Sequence, residues 1–523
     1  MRLSKFLLIA WTVVLVSGAC TALSFSEEAA KTPSEVEKSK TSIIGMYKPP
    51  ESILEPSEAE EVKILTLNEC IDIAVKNHLP LKTIKKSVKL AQWRLFEARR
   101  NLLPKVDVRM EEHTGQIGGR RFYGKSTAVD LQQTVFHGGE FMYTMMQAQT
   151  NLKIVNKEYA RIKNELILQV KKGYYTLAKA KENFKLQQEL SGEVLKISDM
   201  VAKQFESGVI SNLELLNVNS QMNQVRFQYA SAQGDVEVAE LILKQAMNMD
   251  ERARIDIDTP PVLDKVDIDF NKVLADALVN RPEMQISSMM IQYYIYEQKV
   301  AKAKSWPKID FIGSFGMAKE EYIAKDAGEP DPATGTMDAD QKMEQQWYAG
   351  VKCSIPLWGS TGEYSYQKEV WAPVVSAYRG TSTITNSYKF NFLDNLAQFS
   401  DKAAADVDMD KARQEFIKTK QDVTLEAKES CFNYEKALMQ LETAANKVKY
   451  QESDLEIIIF KRQMDEAQDS NVIESMIKLA QEKFGYTQAV SDCRIAIASI
   501  SKAVGLPDYF ERGIGANSKT PRQ

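Results

Sequence analysis

The second half of this chain repeats the first, and that repeat limits the fold more than any other feature. Asn77 to Pro104 spans 27 residues, and so does Asn280 to Pro307. At an offset of 203, Ala74 aligns with Ala277, Leu81 with Met284, Lys105 with Lys308 and Asp107 with Asp310. Further on, at an offset of 257, Leu168 aligns with Leu425, Tyr175 with Phe432, Tyr229 with Tyr486 and Ala246 with Ala503. A length of 523 residues is enough for several ordinary domains, but the repeat argues for two matched halves.

Each half reads as helix, strand pair, long helix and returning helix. In the first half, a helix over 81–103 stops at Pro104. From Gly139 to Ser207 there is no proline, and some 69 residues at about 1.5 Å each make a helix of about 100 Å. Gly208 breaks it, and Ser211 or Asn212 can cap the helix that returns from Leu213 to Met249. The second half offers helices over 283–305, 405–464 and 472–504.

The strands show in period-two alternation. Lys105-Val-Asp-Val-Arg-Met-Glu111 puts Val106, Val108 and Met110 on one side. Lys105, Asp107, Arg109 and Glu111 take the other. A Gly-rich tip over 115–124 leads to a return strand at about 127–136, and further strands are expected at about 309–317 and 347–357. Between the last two lies a longer acidic tip, about 319–345. The offset grows from 222 at Trp358 (opposite Phe136) to 257 at Leu425, so about 35 residues are inserted within 364–405. That stretch is rich in aromatic residues, which suit the headgroup depth of a bilayer as well as an ordinary packed loop.

Met1-Arg-Leu-Ser-Lys5, the apolar run Phe6 to Val16 and the small residues up to Cys20 have the form of an export signal, assigned to 1–19. Cys20 is a candidate for lipid attachment; ordinary cleavage after Ala19 or Ala22 is the alternative. Residues 20–64 are polar and are expected to form a disordered tether. The first repeat then covers 65–249, a linker 250–267, the second repeat 268–506 and a tail 507–523. Beyond the signal no apolar run is long enough for a spanning helix, so any membrane crossing must be a β-barrel. Four strands of about ten residues cannot close a barrel, so copies must combine: two give eight strands and three give twelve. The faces carrying Lys105, Asp107, Arg109, Asp130, Asp310 and Lys352 would then line water. A soluble sandwich with one wet face is the competing arrangement.

Composition and motifs remove other classes. A net charge of −4 without a basic block argues against nucleic acid. The cysteines lie far apart and His78, His113 and His137 are scattered, so we assign no metal, no cofactor and no catalytic residue. Gly119-Arg-Arg-Phe-Tyr-Gly124-Lys125-Ser126 matches the phosphate-binding pattern GxxxxGK[ST]. That motif needs a helix after it, and Thr127 to Val135 alternates as a strand.

With these features in place the chain resembles the TolC family of outer-membrane channels over about residues 65–506. The resemblance rests on Leu67-Asn-Glu-Cys-Ile-Asp-Ile-Ala74 with Asn77, Ala277-Leu-Val-Asn-Arg-Pro282, Leu103-Pro104 and Trp306-Pro307, Phe205-Glu-Ser-Gly208, and Ile355-Pro-Leu-Trp358. It implies a mainly α fold with a small transmembrane β part. Long helical hairpins would form a coiled-coil barrel, and four strands per chain would complete a twelve-stranded barrel as a homotrimer. It also implies a passive outer-membrane exit duct of a tripartite efflux or type I secretion system. Its partners would be a periplasmic adaptor (membrane fusion) protein, an inner-membrane pump and outer-membrane lipid. A periplasmic coiled-coil adaptor or scaffold without a barrel is the alternative function. In the family, helix–helix tips form the periplasmic entrance and acids near them ring the aperture, which makes Asp465, Glu466, Asp469 and Glu474 aperture candidates. Gly208, Ser211, Asn212 and Leu213 are the candidates for adaptor contact. The second tip departs from the pattern, with Arg462-Gln-Met-Asp465 opposite Phe205-Glu-Ser-Gly208.

Overall fold

The computed structural model describes residues 63–117, 120–258, 265–323, 343–371, 382–464 and 466–510, all within one compact unit starting at Lys63. The export signal, Cys20, most of the tether and Asp465 lie outside the described residues.

The helices come in two matching sets. The first is α1 (Leu67–Asn77), α2 (Leu79–Arg100), α3 (Glu140–Glu206) and α4 (Asn212–Met247), with 11, 22, 67 and 36 residues. The second is α5 (Phe270–Asn280), α6 (Pro282–Ala303), α7 (Ala397–Gln463) and α8 (Asp469–Val504), with the same four lengths. Local chemistry sets the boundaries. Thr66 and Glu69 form a reciprocal capping box at the start of α1. Pro282 occupies the first turn of α6, where its missing N–H costs nothing.

The long helices pack through three-four spacings typical of coiled coils. Leu190, Val194, Ile197 and Val201 of α3 meet Val218, Met222 and Val225 of α4. Val472, Ile473 and Ile477 of α8 close the same cluster, which ties the two hairpins together near their tips. Burying a Val, Leu or Ile contributes about 1.5–3 kcal/mol, so this seam stabilises the tip region strongly. Nearer mid-length, a short parallel pair, β1 (Lys63–Leu65) with β4 (Ile255–Ile257), lies over Cys70, Tyr174 and Leu243. The expected tether therefore ends before Lys63, and the expected linker 250–267 contains a strand. The expected tail also begins folded. Tyr509 is fully buried and its hydroxyl donates to Asp276 at 2.7 Å.

The sheet is the main departure from expectation. It has six strands, not four, in the order β2 (Lys105–Ile117), β3 (Arg120–His137), β5 (Lys308–Ile323), β6 (Glu344–Leu357), β7 (Ser360–Val370), β8 (Ser382–Asn391). All neighbours are antiparallel. The segment expected as an aromatic insertion over 364–405 supplies β7 and β8, and α7 begins at Ala397. Two-residue turn chemistry explains this. Leu357 pairs with Ser360, leaving Trp358 (φ 50) and Gly359 (φ 81) as the loop. Two successive left-handed residues make the hairpin turn that suits strand twist. In the first repeat the corresponding strand end reaches Gly138 (φ 58) and Gly139 (φ 85) and passes into α3 instead.

The first hairpin tip is also tighter than expected. β2 and β3 stay paired as far as Ile117 and Arg120, where a Gly-rich tip over 115–124 was expected. Ser126 lies mid-strand, so no helix follows the GxxxxGK[ST] pattern. A Cβ at Gly124 would meet only the ring end of the exposed His113, which can swing aside.

Candidate functional site

Two regions can carry function: the faces of the sheet and the hairpin tips. The strand register sorts the sheet residues into two chemically distinct sides. Val108 pairs with Val129, Val129 with Phe315, Phe315 with Trp347, and Trp347 with Val370. One row over, Met110 pairs with Thr127 and Thr127 with Met317. This apolar side is bare: Val108 is 68% exposed, Met110 75% and Phe315 57%. From Ile309 to Met317 it extends about 26 Å along the strand, or about 20 Å along the axis at a tilt of about 40°. That is close to the apolar band of a membrane barrel.

The opposite side is polar from edge to edge. Asp107 pairs with Asp130, Asp130 with Ser314, Ser314 with Tyr348, and Tyr348 with Glu369. The six residues expected to face water, Lys105, Asp107, Arg109, Asp130, Asp310 and Lys352, all share this side by register. Their charges are largely matched in place. Lys105 pairs with Asp107 at 3.1 Å, Arg109 with Asp130 at 3.2 Å, and Lys352 with Glu363 at 3.2 Å. Thr134 donates to Asp310 at 2.5 Å. The sheet curls so that Arg109 and His113 line one concavity with Gln367 and Glu369, which puts the polar side inward. A wet, charge-balanced concave face and a bare apolar convex face suit a barrel wall with an aqueous lumen.

The tips carry the other candidates. At the first, Gly208 (φ 74) ends α3, and Ser211 accepts the Glu214 N–H at 3.2 Å to cap α4. Asn212 is the first residue of that helix, and Leu213 is 78% exposed beside Val209 at 73%. At the second, Met464 follows α7, and Asp469 opens α8 in an ion pair with Arg462 at 2.5 Å. Glu474 pairs with Lys478 one turn later at 2.7 Å. Glu466 is exposed, and its backbone N–H is bound to the Lys461 carbonyl. Of the four expected aperture acids, two therefore hold a basic partner within the chain.

The structure adds a residue that sequence reasoning missed. Glu214 is buried, and its carboxylate accepts the Ser470 N–H at 2.9 Å. It caps a helix of the other repeat, 256 positions away. No local motif marks it, because the partner lies on another hairpin.

Among the described residues no group of His, Cys, Asp and Glu can hold a metal ion. Burial pushes the thiols of Cys70, Cys431 and Cys493 up to about 11, so they stay protonated and inert. Among the described residues no helix is long and apolar enough to cross a membrane.

Comparison with known proteins agrees with this geometry. Residues 70–249 match the family model of the outer membrane efflux protein. The fold is similar to that of a membrane protein from Pseudomonas aeruginosa, with a TM-score of 0.65 at 12% identity, covering 84% of this chain and 90% of that one. It is also similar to the Campylobacter jejuni CmeC outer membrane channel, with a TM-score of 0.66 at 15% identity over 86% and 90%. The open state of the Neisseria gonorrhoeae MtrE outer membrane channel gives 0.63 at 14% identity over 84% and 89%. No curated protein sequence matches the chain.

Proposed function

We propose that this chain, whose first half matches the outer membrane efflux protein family, is the passive exit duct of a tripartite export system in a Gram-negative outer membrane. One observation carries the reading. A sheet with a largely apolar face and a largely polar opposite face sits on helical hairpins about 100 Å long. A soluble scaffold has no use for the bare convex row from Val108 to Val370, which would be an aggregation liability in water. In lipid the same row is the outer wall of a barrel.

An open sheet edge is not tolerated in hydrocarbon, so the barrel must close through other copies. A homotrimer fits the resemblance to the TolC family. Its helical part would meet a periplasmic adaptor, itself bound to an inner-membrane pump that supplies the energy. Exposed Val209 and Leu213 at the first tip suit an adaptor contact, with Gly208, Ser211 and Asn212 shaping the turn. Carboxylates near the second tip would form the cation-favouring ring at the aperture. Of these, Glu466 is the strongest candidate, because Asp469 and Glu474 are already paired.

Expression in a Gram-negative host with outer-membrane fractionation tests the function. Heat-modifiable trimers that conduct in planar bilayers are expected. A protein recovered only from the soluble periplasm, without conductance, overturns the reading. The aperture is tested with Glu474→Gln combined with Asp469→Asn, and separately with Glu466→Gln combined with Asp465→Asn. An unchanged cation preference in all of these rules the ring out.

A further inference from the structure

The two extra strands keep the two-sided character of the sheet, with Lys368 and Asn386 as polar exceptions on the apolar side. Across the β6–β7 seam, Cys353 pairs with Tyr364 and Val351 with Tyr366 on the apolar side. Across β7–β8, Gly362 pairs with Phe390 and Tyr364 with Tyr388. Tyr388 is 80% exposed on that side. On the polar side, Ser365 pairs with Ser387 and Glu369 with Thr383, and the Lys352–Glu363 ion pair spans the seam. A hairpin lying outside the barrel would have no reason to keep both faces in phase with β5 and β6.

The sheet leaves two free edges, β2 and β8. β8 runs antiparallel to β7, and by alternation along the sheet it runs opposite to β2. Its edge can therefore join β2 of a neighbouring copy as a regular antiparallel pair. An unpaired row of N–H and C=O groups in lipid costs several kcal/mol per group, so each of these edges needs a strand.

From these observations we infer that a second copy of this chain docks its β2 on β8, so that three copies close an eighteen-stranded barrel. This rests on the trimeric duct proposed above and replaces its twelve strands. Diameter grows roughly linearly with strand number, so the outer opening is about 1.5 times as wide as a twelve-stranded wall of equal tilt. Barrels of 16–18 strands leave an open aqueous channel.

Disulfide trapping in the full-length protein tests the pairing, in a background carrying Cys353→Ser. Ser387→Cys or Lys389→Cys on β8 is combined with Lys105→Cys or Asp107→Cys on β2, all on the polar side. Oxidation in the membrane is expected to give covalent trimers on non-reducing gels. The competing geometry, in which β6 meets the neighbour's β2 and the hairpin is displaced, is read with Ser354→Cys and Lys105→Cys. Covalent trimers from that pair overturn the inference. If neither set links, imaging of the trimers in nanodiscs decides. A barrel of eighteen-strand width supports the inference, and one about two-thirds as wide overturns it. A chain that never forms trimers removes the trimeric reading together with this one.

Discussion

The Glu214 carboxylate, in the first turn of α4, accepts the backbone N–H of Ser470 at the start of α8 at 2.9 Å. One repeat thus caps a helix of the other at the end of the rod away from the sheet. Asp469 and Ser470 begin α8 without a side-chain cap of their own, since Gln468 makes none. Glu214→Ala should leave the Ser470 N–H without its partner at a cost of about 1–3 kcal/mol. Amide exchange at Ser470 to Val472 should speed up by about tenfold or more, with the mid-rod amides unchanged. Unchanged exchange at Ser470 would show that the cap carries no energy.

The Arg462–Asp469 pair closes the second tip across the break between α7 and α8. Arg462→Ala leaves a largely buried carboxylate without its cation. Protease cutting between 464 and 470 should rise, and open-channel events in bilayers should become more frequent. Arg462→Lys should restore part of the wild-type behaviour, because one hydrogen-bond donor is retained while the planar fork is lost. If Arg462→Ala behaves like wild type in both measurements, the pair does not hold the tip.

Two left-handed glycines should respond very differently to alanine. At Gly208 a Cβ meets nothing within 4 Å, so only backbone strain of about 1 kcal/mol is expected. At Gly505 a Cβ would lie 2.8 Å from Arg281 Cα and 3.0 Å from Pro282 Cδ. Gly505→Ala should therefore cost well over 1 kcal/mol and lower the melting temperature, while Gly208→Ala barely moves it. A bulkier residue at Gly208 that leaves the trimer intact and abolishes export would locate the adaptor contact there. Normal export would exclude it.

Acid should loosen the middle of the rod through Glu426. Burial alone would raise its carboxyl. The Lys502 and Arg281 side chains beside it outweigh burial and hold it below its ordinary 4.5. The Lys502 contact is 2.6 Å, and Arg281 lies directly against the other carboxylate oxygen. A depressed folded value means that stabilisation is complete above about pH 4.5 and is lost as pH falls through the lower folded value. Thermal melts should show this acid-sensitive contribution in the wild type and not in Glu426→Gln. Arg281→Ala should be worse, by about 1–3 kcal/mol, since it takes the shared cation from two half-buried carboxylates, Glu283 and Glu426. A wild-type melting profile that matches Glu426→Gln at every pH would remove Glu426 from the account.

The helices were legible because their signals are local and repeated. Pro104 and Pro307 stop two of them, and proline-free runs mark the longest. The sheet faces were legible because Val106, Val108 and Met110 alternate strictly with Lys105, Asp107 and Arg109. The additional hairpin was hidden behind composition. Tyr364 and Tyr366 alternate with Glu363, Ser365 and Gln367 as regularly as β2 does, yet aromatic composition suits bilayer headgroup depth or a packed loop as well as a strand. The turn signal was also unusual, since Trp358 occupies a left-handed position that bulky residues seldom take. Tip pairing could not be read at all. Arg462 and Asp469 are joined across a break, and Glu214 and Ser470 across the whole repeat.

The Trp358–Gly359 turn has one more consequence. A hairpin inserted there leaves and returns at the same end of the sheet, so the chain reaches α7 as if nothing had been added. In the trimeric duct proposed above, calibre and reach are thereby set by separate parts of the molecule. The 67-residue helices fix the reach, and the number of hairpins fixes the calibre. A lineage could change the size of cargo it releases without refitting the machinery that feeds it.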